Sequence, residues 1–198
     1  MGRVVVSEFI SLDGVVEAPG GEPGYKHTGW VMKFPDEGML RYKTEEALAS
    51  EVLLLGRKQY EGFAEAWPER KGMEGEIGAI AHKFNAMPKY VASTTLRDPA
   101  WNNTTVLQGD AMAAVRQLKQ DVVGMIMVHG SRTLAQSLQQ HDLVDEYRLL
   151  VFPIILGSGA RLFAEADDAA SLKLIDMQGL PSGIVILTYE PARAGVAS

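Results

Sequence analysis

Short apolar runs alternate with amphipathic stretches through most of the chain, and late in the sequence the amphipathic stretches disappear. RVVVSEFI (3–10) is short and β-branched, which predicts a strand. EVLLLG (51–56) is almost continuously apolar, as expected for a strand covered on both faces. KYVAS (89–93), TTVLQ (104–108) and GMIMVH (124–129) continue the series. Between them, helices are predicted over DEGMLRYKTEEALAS (36–50), RKQYEGFAEAW (57–67), part of 68–88, DAMAAVRQLKQ (110–120) and SRTLAQSLQQH (131–141). Asp36 and Asp110 are suited to cap two of these helices, and Met39, Leu40, Ala47 and Leu48 give the first its apolar stripe. From 145 onward three strands follow in succession: DEYRLLVFPIIL (145–156), LKLIDMQGL (172–180) and GIVILTYEP (183–191). The last two are close enough to pair as a hairpin. Alternation followed by consecutive strands predicts an α/β chain with a mixed sheet flanked by helices and antiparallel at its C-terminal end.

The pattern leaves one long gap, SLDGVVEAPGGEPGYKHTGWVMKFP (11–35), rich in glycine and proline. A loop of this length in a compact domain is usually functional. The length of 198 residues suits a single domain, placed at 1–191, with 192–198 expected as a mobile tail. A net charge of −6 argues against a nucleic-acid surface or a polybasic membrane patch, both of which need clustered Lys and Arg. The absence of cysteine excludes disulfides, thiol nucleophiles and Cys-based zinc sites, and is compatible with the cytoplasm. The first apolar run is too short for a signal peptide or membrane span. His27, His82, His129 and His141 lack metal-ligand spacing, so no metal is expected.

Three predicted strand ends carry chemistry of one kind. GMIMV stops at His129-Gly130-Ser131 and a helix begins at once; EVLLL stops at Gly56-Arg57; KYVA stops at Ser93-Thr94-Thr95. In open α/β sheets, ligands bind beyond the carboxyl ends of strands. A helix N-terminus there offers unpaired N–H groups and a positive dipole end, which suit phosphate. Gly130 permits close approach to the backbone, and the N–H groups of Ser131, Arg132 and Thr133 follow it. Arg57 adds a planar cationic fork. Each feature alone reads as a plain turn or a solvated charge. Their combination points to a nucleotide with phosphates at more than one place, such as NADPH.

SLDGVVEAP, LLLGRKQYEGF, KYVASTTL, MVHGSRTLAQSL and LVDEYRLLVFPIILGSGARLF occur in an order that resembles the dihydrofolate reductase superfamily. The resemblance is to the branch related to the C-terminal reductase domain of the bifunctional deaminase/reductase of riboflavin biosynthesis (RibD), and it covers about Arg3 to Tyr189. It implies a three-layer α/β/α fold, NADPH as hydride donor and frequently a homodimer. It also implies that Gly56, Arg57 and Lys58 lie along the cofactor, with Arg57 toward the 2′-phosphate and Ser93 and Thr94 near the adenosine. His129-Gly130 stands at the family's glycine pair, so that Gly130, Ser131, Arg132 and Thr133 hold the diphosphate. The chain departs from the family in having Gln59 two residues after the arginine and His129 in that pair. GSGARL (157–162) is not a dinucleotide fingerprint, because it lacks the third glycine and follows a late strand. The resemblance places it on the substrate side or near a dimer contact.

Reduction of a C=N or C=O bond needs a proton source. The candidates are Asp13, just past the first strand, and Asp36 and Glu37, which open the first helix. The plain alternatives are an Asp-Gly turn for Asp13 and helix capping for the other two. Trp30 and Phe34 could cover a flat heterocyclic substrate or simply pin the long loop to the core. The 145–156 strand is apolar on both faces, which predicts cover from a neighbouring helix or from a second copy in a two-fold dimer. The expectation is therefore an NADPH-dependent reductase of a small heterocycle or carbonyl, related to 5-amino-6-(5-phosphoribosylamino)uracil reductase. The rivals are a non-catalytic nucleotide-binding protein and a dihydrofolate or pterin reductase.

Overall fold

The computed structural model describes residues 1–166 and 168–192; the expected mobile tail therefore lies, apart from Ala192, outside the described residues. The elements in chain order are β1 (Arg3–Ser11), a 3-10 turn (Trp30–Lys33), α1 (Glu37–Ala49), β2 (Ser50–Gly56), α2 (Arg57–Glu69), α3 (Gly75–Ala86), β3 (Lys89–Ala92), β4 (Thr104–Leu107), α4 (Ala111–Asp121), β5 (Met125–His129), α5 (Arg132–Gln140), β6 (Glu146–Phe152), β7 (Leu172–Gly179) and β8 (Val185–Pro191). They form one sheet in the order β4-β3-β2-β5-β1-β6-β8-β7. Strands β1 to β6 pair in parallel, and β8 runs antiparallel to both of its neighbours.

Side chains alternate across each strand. Val4, Val6 and Ile10 of β1 join Met112, Val115 and Leu118 of α4 and Leu134 and Leu138 of α5 on one face. On the other face, Leu53 and Leu55 of β2 pack with Ala47, Tyr60, Ile80 and Phe84 from α1, α2 and α3. A third cluster at the β6–β8 end centres on Phe152, with Trp30, Leu150 and Ile184. The result is three layers, α/β/α. Strand β6 stops at Phe152, short of the predicted end at 156, because Pro153 has no N–H to continue the ladder. Its two apolar faces are covered within the chain: Tyr147, Leu149, Leu150 and Phe152 are all buried, so β6 itself needs no partner subunit. Exposed apolar residues lie instead on the edge strand β7, at Leu174, Ile175 and Met177.

Helix α1 departs from its predicted stripe. Ala47 is buried, but Leu48 is exposed, and Lys43, Thr44 and Glu46 face the sheet. The 11–35 loop is stitched to the segment after β6. Leu12 N–H donates to the Ile154 carbonyl at 2.9 Å, and Val16 N–H to that of Ala160 at 2.9 Å. Lys89, fully buried, donates to the carbonyls of Phe84 and Met87 at 2.7 Å each, and so closes the C-terminal end of α3 over the Trp101 ring. Among the described residues, no helix is long and apolar enough to cross a membrane, and no cluster of acidic and histidine side chains is arranged to hold a metal ion.

Candidate functional site

Strands β2 and β5 are neighbours, yet their following helices leave to opposite faces: α2 packs over Leu53 and Leu55, α5 over Val4 and Val6. Such a divergence opens a crevice at the strand ends. The two ends are tied together there by Ser131, whose hydroxyl accepts from Gly56 N–H at 3.0 Å and donates to the His129 carbonyl at 3.3 Å. Beside this tie lies a groove of about 400 Å³, lined by Gly56, Arg57, Ser93, Thr94, Thr95 and Thr133 among others. Five residues expected to contact a nucleotide thus meet in one groove. Arg57 spans its rim, donating to Thr95 Oγ1 at 2.5 Å and to Glu61 at 2.7 Å.

The remaining expected contacts are distributed less simply. Lys58 is exposed on the first turn of α2 and does not line the groove. The Ser93 hydroxyl is occupied by the N–H groups of Thr95 and Leu96, so it shapes the turn. Gly130 adopts φ +64°, the left-handed region that favours glycine. Gln59 lies against it: a Cβ at 130 would come within 2.6 Å of the Gln59 amide. The side chain of Ser131 is committed to the strand tie and does not cap α5; Arg132 and Thr133 are exposed at that helix start. These residues fit the phosphates of a dinucleotide: an arginine fork at the groove and a helix N-terminus without a side-chain cap.

The other sheet face carries a polar cluster that the sequence pattern concealed. Lys43 of α1 donates to Ser7 Oγ at 2.8 Å and pairs with Glu46, and its ammonium lies 3.4 Å from His129 Nδ1. Ser7 in turn donates to Glu46 at 2.9 Å. Glu46 is also ion-paired with Arg148 at 3.6 Å. Burial, then the neighbouring Lys43 charge, hold the His129 imidazole well below its ordinary range. The ammonium can only donate, so Nδ1 of the neutral ring is its acceptor. Phe9 and Phe63 pack against the His129 ring at 6.0 and 5.6 Å. Phe9 and Phe34 also flank Phe152, at 5.6 and 5.8 Å. The cluster therefore offers a held proton at Lys43 Nζ beside half-buried aromatic rings.

The acids expected as proton donors are used otherwise. The Asp13 carboxylate accepts from Leu156 N–H at 3.0 Å, Gly157 N–H at 2.8 Å and Ser11 Oγ at 2.8 Å. These bonds, led by that from Leu156, lower Asp13 to about 2, so it is an ionised clasp and holds no proton to give. Asp36 caps α1 through Met39 N–H at 3.0 Å and also accepts from Ser182 N–H at 3.1 Å. Glu37 is exposed in the first turn of α1, where the helix dipole favours an acid. Trp30 is fully buried, edge-on to Phe152 and bonded through Nε1 to the Glu17 carbonyl at 2.9 Å, so it anchors the loop and offers no face to a ligand. Phe34 stays half-buried against Phe152.

A sheet of this order, with a groove at a divergence of helices, defines a reductase-like α/β/α domain of the dihydrofolate reductase type. The chain belongs to the RibD C-terminal domain family, whose pattern it matches over residues 3–186. It is 26% identical over 189 residues to the uncharacterised protein YyaP of Bacillus subtilis, covering 94% of each chain. To YwjB of the same organism, also uncharacterised, it is 25% identical over 174 residues, covering 87% of this chain and 88% of that one. Among solved structures, a Shewanella sp. PV-4 protein provisionally assigned to riboflavin biosynthesis superposes with a TM-score of 0.72 at 19% identity, covering 96% of this chain and 99% of that one. RibD of Acinetobacter baumannii gives 0.64 at 16% identity; the match covers 98% of this chain and 59% of that longer one. At these identities the solved structures speak for the fold.

Proposed function

We propose that this protein is an NADPH-dependent reductase acting on a small heterocyclic or carbonyl compound, related to 5-amino-6-(5-phosphoribosylamino)uracil reductase of riboflavin biosynthesis. The observation that carries this reading is Arg57 spanning the groove between β2 and β3, with the start of α5 alongside. Arg57 is suited to a 2′-phosphate, which would displace Glu61 from the guanidinium. Thr94, Thr95 and Thr133 supply hydroxyls along the same groove, and the first turn of α5 supplies N–H groups for the diphosphate. The bound dinucleotide would supply hydride. Across the sheet, Lys43 holds a proton at Nζ, Glu46 and Ser7 fix its position, and the half-buried rings of Phe9, Phe34 and Phe63 offer apolar surface to the acceptor. The protein acts on a small molecule, in the cytoplasm, as a homodimer.

A non-catalytic nucleotide-binding protein is favoured by one observation, the Gln59 amide packed against Gly130, which narrows the approach to that turn. The test is a screen of flat heterocycles and carbonyl compounds that follows NADPH absorbance, run beside thermal unfolding with and without NADPH. A ligand that binds only the folded state raises its stability. Oxidation of NADPH by at least one acceptor class is expected. A thermal shift with no oxidation across the panel would favour the binding protein, and no shift at all would remove the dinucleotide.

A further inference from the structure

Glu8 lies one residue beyond the last β1–β5 pair, Ser7–His129, on the sheet face that carries α5. It is 3% exposed, and its Oε1 has no hydrogen-bond partner. The register that pairs Ser7 with His129 sets Glu8 beside Gly130, and the backbone N–H groups of Ser131 and Gly130, at the mouth of α5, favour its ionised form. Helix α5 has nine residues and no side-chain cap, since the Ser131 hydroxyl is engaged with Gly56. A buried acid with a free oxygen thus faces the helix end where phosphates would rest. Such a group is costly in a core, and a residue serving only to pack would be apolar.

We propose that Glu8 is a working part of the dinucleotide site, the floor of the α5 phosphate cradle, and that it takes up a proton when the phosphates bind. This rests on the dinucleotide reading given above. The N–H groups at the start of α5 cannot serve a diphosphate and an ionised Glu8 equally well, because the two negative charges would share one donor set. A protonated Glu8 removes the repulsion and gains a donor. The charged groups bearing on it are Lys43, which favours its ionisation, and Glu46, which opposes it, both from α1 across the sheet; the α5 turn presents N–H groups. Burial outweighs Lys43 and raises the carboxyl from 4.5 to about 8. Phosphate charge nearby pushes it further up. NADPH affinity should therefore be level at neutral pH and fall about tenfold per pH unit once Glu8 ionises in the free protein. The 2′-phosphate, with a second pKa of about 6, is already fully ionised there and does not contribute.

The experiment is calorimetric titration of NADPH, and separately of inorganic pyrophosphate, into the wild type and Glu8→Gln. It is run at about pH 9 in two buffers of different ionisation enthalpy, so that the heats report protons exchanged. The wild type should take up close to one proton per NADPH. Glu8→Gln should bind with little or no uptake and lose the decline with pH; Glu8→Met serves in its place if the amide does not fold. Binding by the wild type without proton uptake, or equal uptake in the variant, overturns the assignment of Glu8. Pyrophosphate bound with Glu8-dependent uptake while NADPH does not bind keeps Glu8 and removes the dinucleotide. Failure of both ligands to bind removes both.

Discussion

Arg57 already has two partners, Thr95 and Glu61, and both contacts are exposed. A 2′-phosphate must therefore gain more from the guanidinium than Glu61 does, and the net gain is at the low end for a charge-assisted contact. Arg57→Ala should weaken NADPH by roughly 1.5 kcal/mol, or about tenfold, and leave NADH nearly unchanged. Fluorescence titration of both cofactors reads this directly. Equal affinity of the wild type for NADPH and NADH would show that nothing in the groove distinguishes the 2′-phosphate. At this scale the sequence was legible where a residue's type and its position at a strand end coincide, as for Gly56, Arg57, Thr94 and Thr133. It was not legible where a charged residue faces inward. Lys43 and Glu46 lie on a helix, where charge ordinarily means solvent, and Glu8 follows Ser7 as a polar pair that reads as a break in the apolar run of β1. Only the packing of α1 and α5 reveals that all three are buried.

The α5 turn shows how one element serves both fold and site. Gly130 supplies the positive φ that turns β5 into α5, and Ser131 ties that turn to the end of β2. Gly130→Ala should destabilise the protein by about 1–2 kcal/mol from the left-handed backbone alone, with an added part from contact with Gln59. Adding Gln59→Ala should recover only that second part, since the amide is the movable end of a side chain. Urea midpoints of the single and double variants separate the two. Full recovery in the double variant would mean that the backbone there is unstrained. Strands and helices were readable from periodicity, including the β7–β8 hairpin, because apolar spacing is a local property. The 3-10 turn Trp30–Lys33 was not, as four residues are too few to show a period. Nor was the use of Asp13 and Asp36, since an acid beside a turn looks the same whether it holds a proton or accepts backbone N–H groups.

Among the described residues the sheet ends in two edge strands, β4 and β7, and β7 is the more exposed. Strand β7 is exposed at every residue, and Leu174, Ile175 and Met177 are 48%, 46% and 63% exposed on a strand with an unpaired edge. Such edges invite pairing with another chain. The proposed homodimer is expected to use the β7 flank, and sedimentation equilibrium at micromolar concentration should then find twice the single-chain mass of 21.6 kDa. Met177→Lys should shift the species toward that single-chain mass. A wild-type monomer would instead mean that β7 remains uncovered in solution. The strand order could not be read in advance, because adjacency of β1 with both β5 and β6 depends on contacts between distant parts of the chain.

The Asp13 clasp joins the loop after β1 to the segment after β6, 143 residues away, through two backbone N–H groups. Any carboxylate placed at 13 must suit the path of 154–162, and that path must present its amides to 13. The two segments are therefore bound to vary together, although they sit near opposite ends of the sequence. A chimera that takes residues 11–35 from a relative inherits half of a joint, and it needs that relative's 154–162 to complete it.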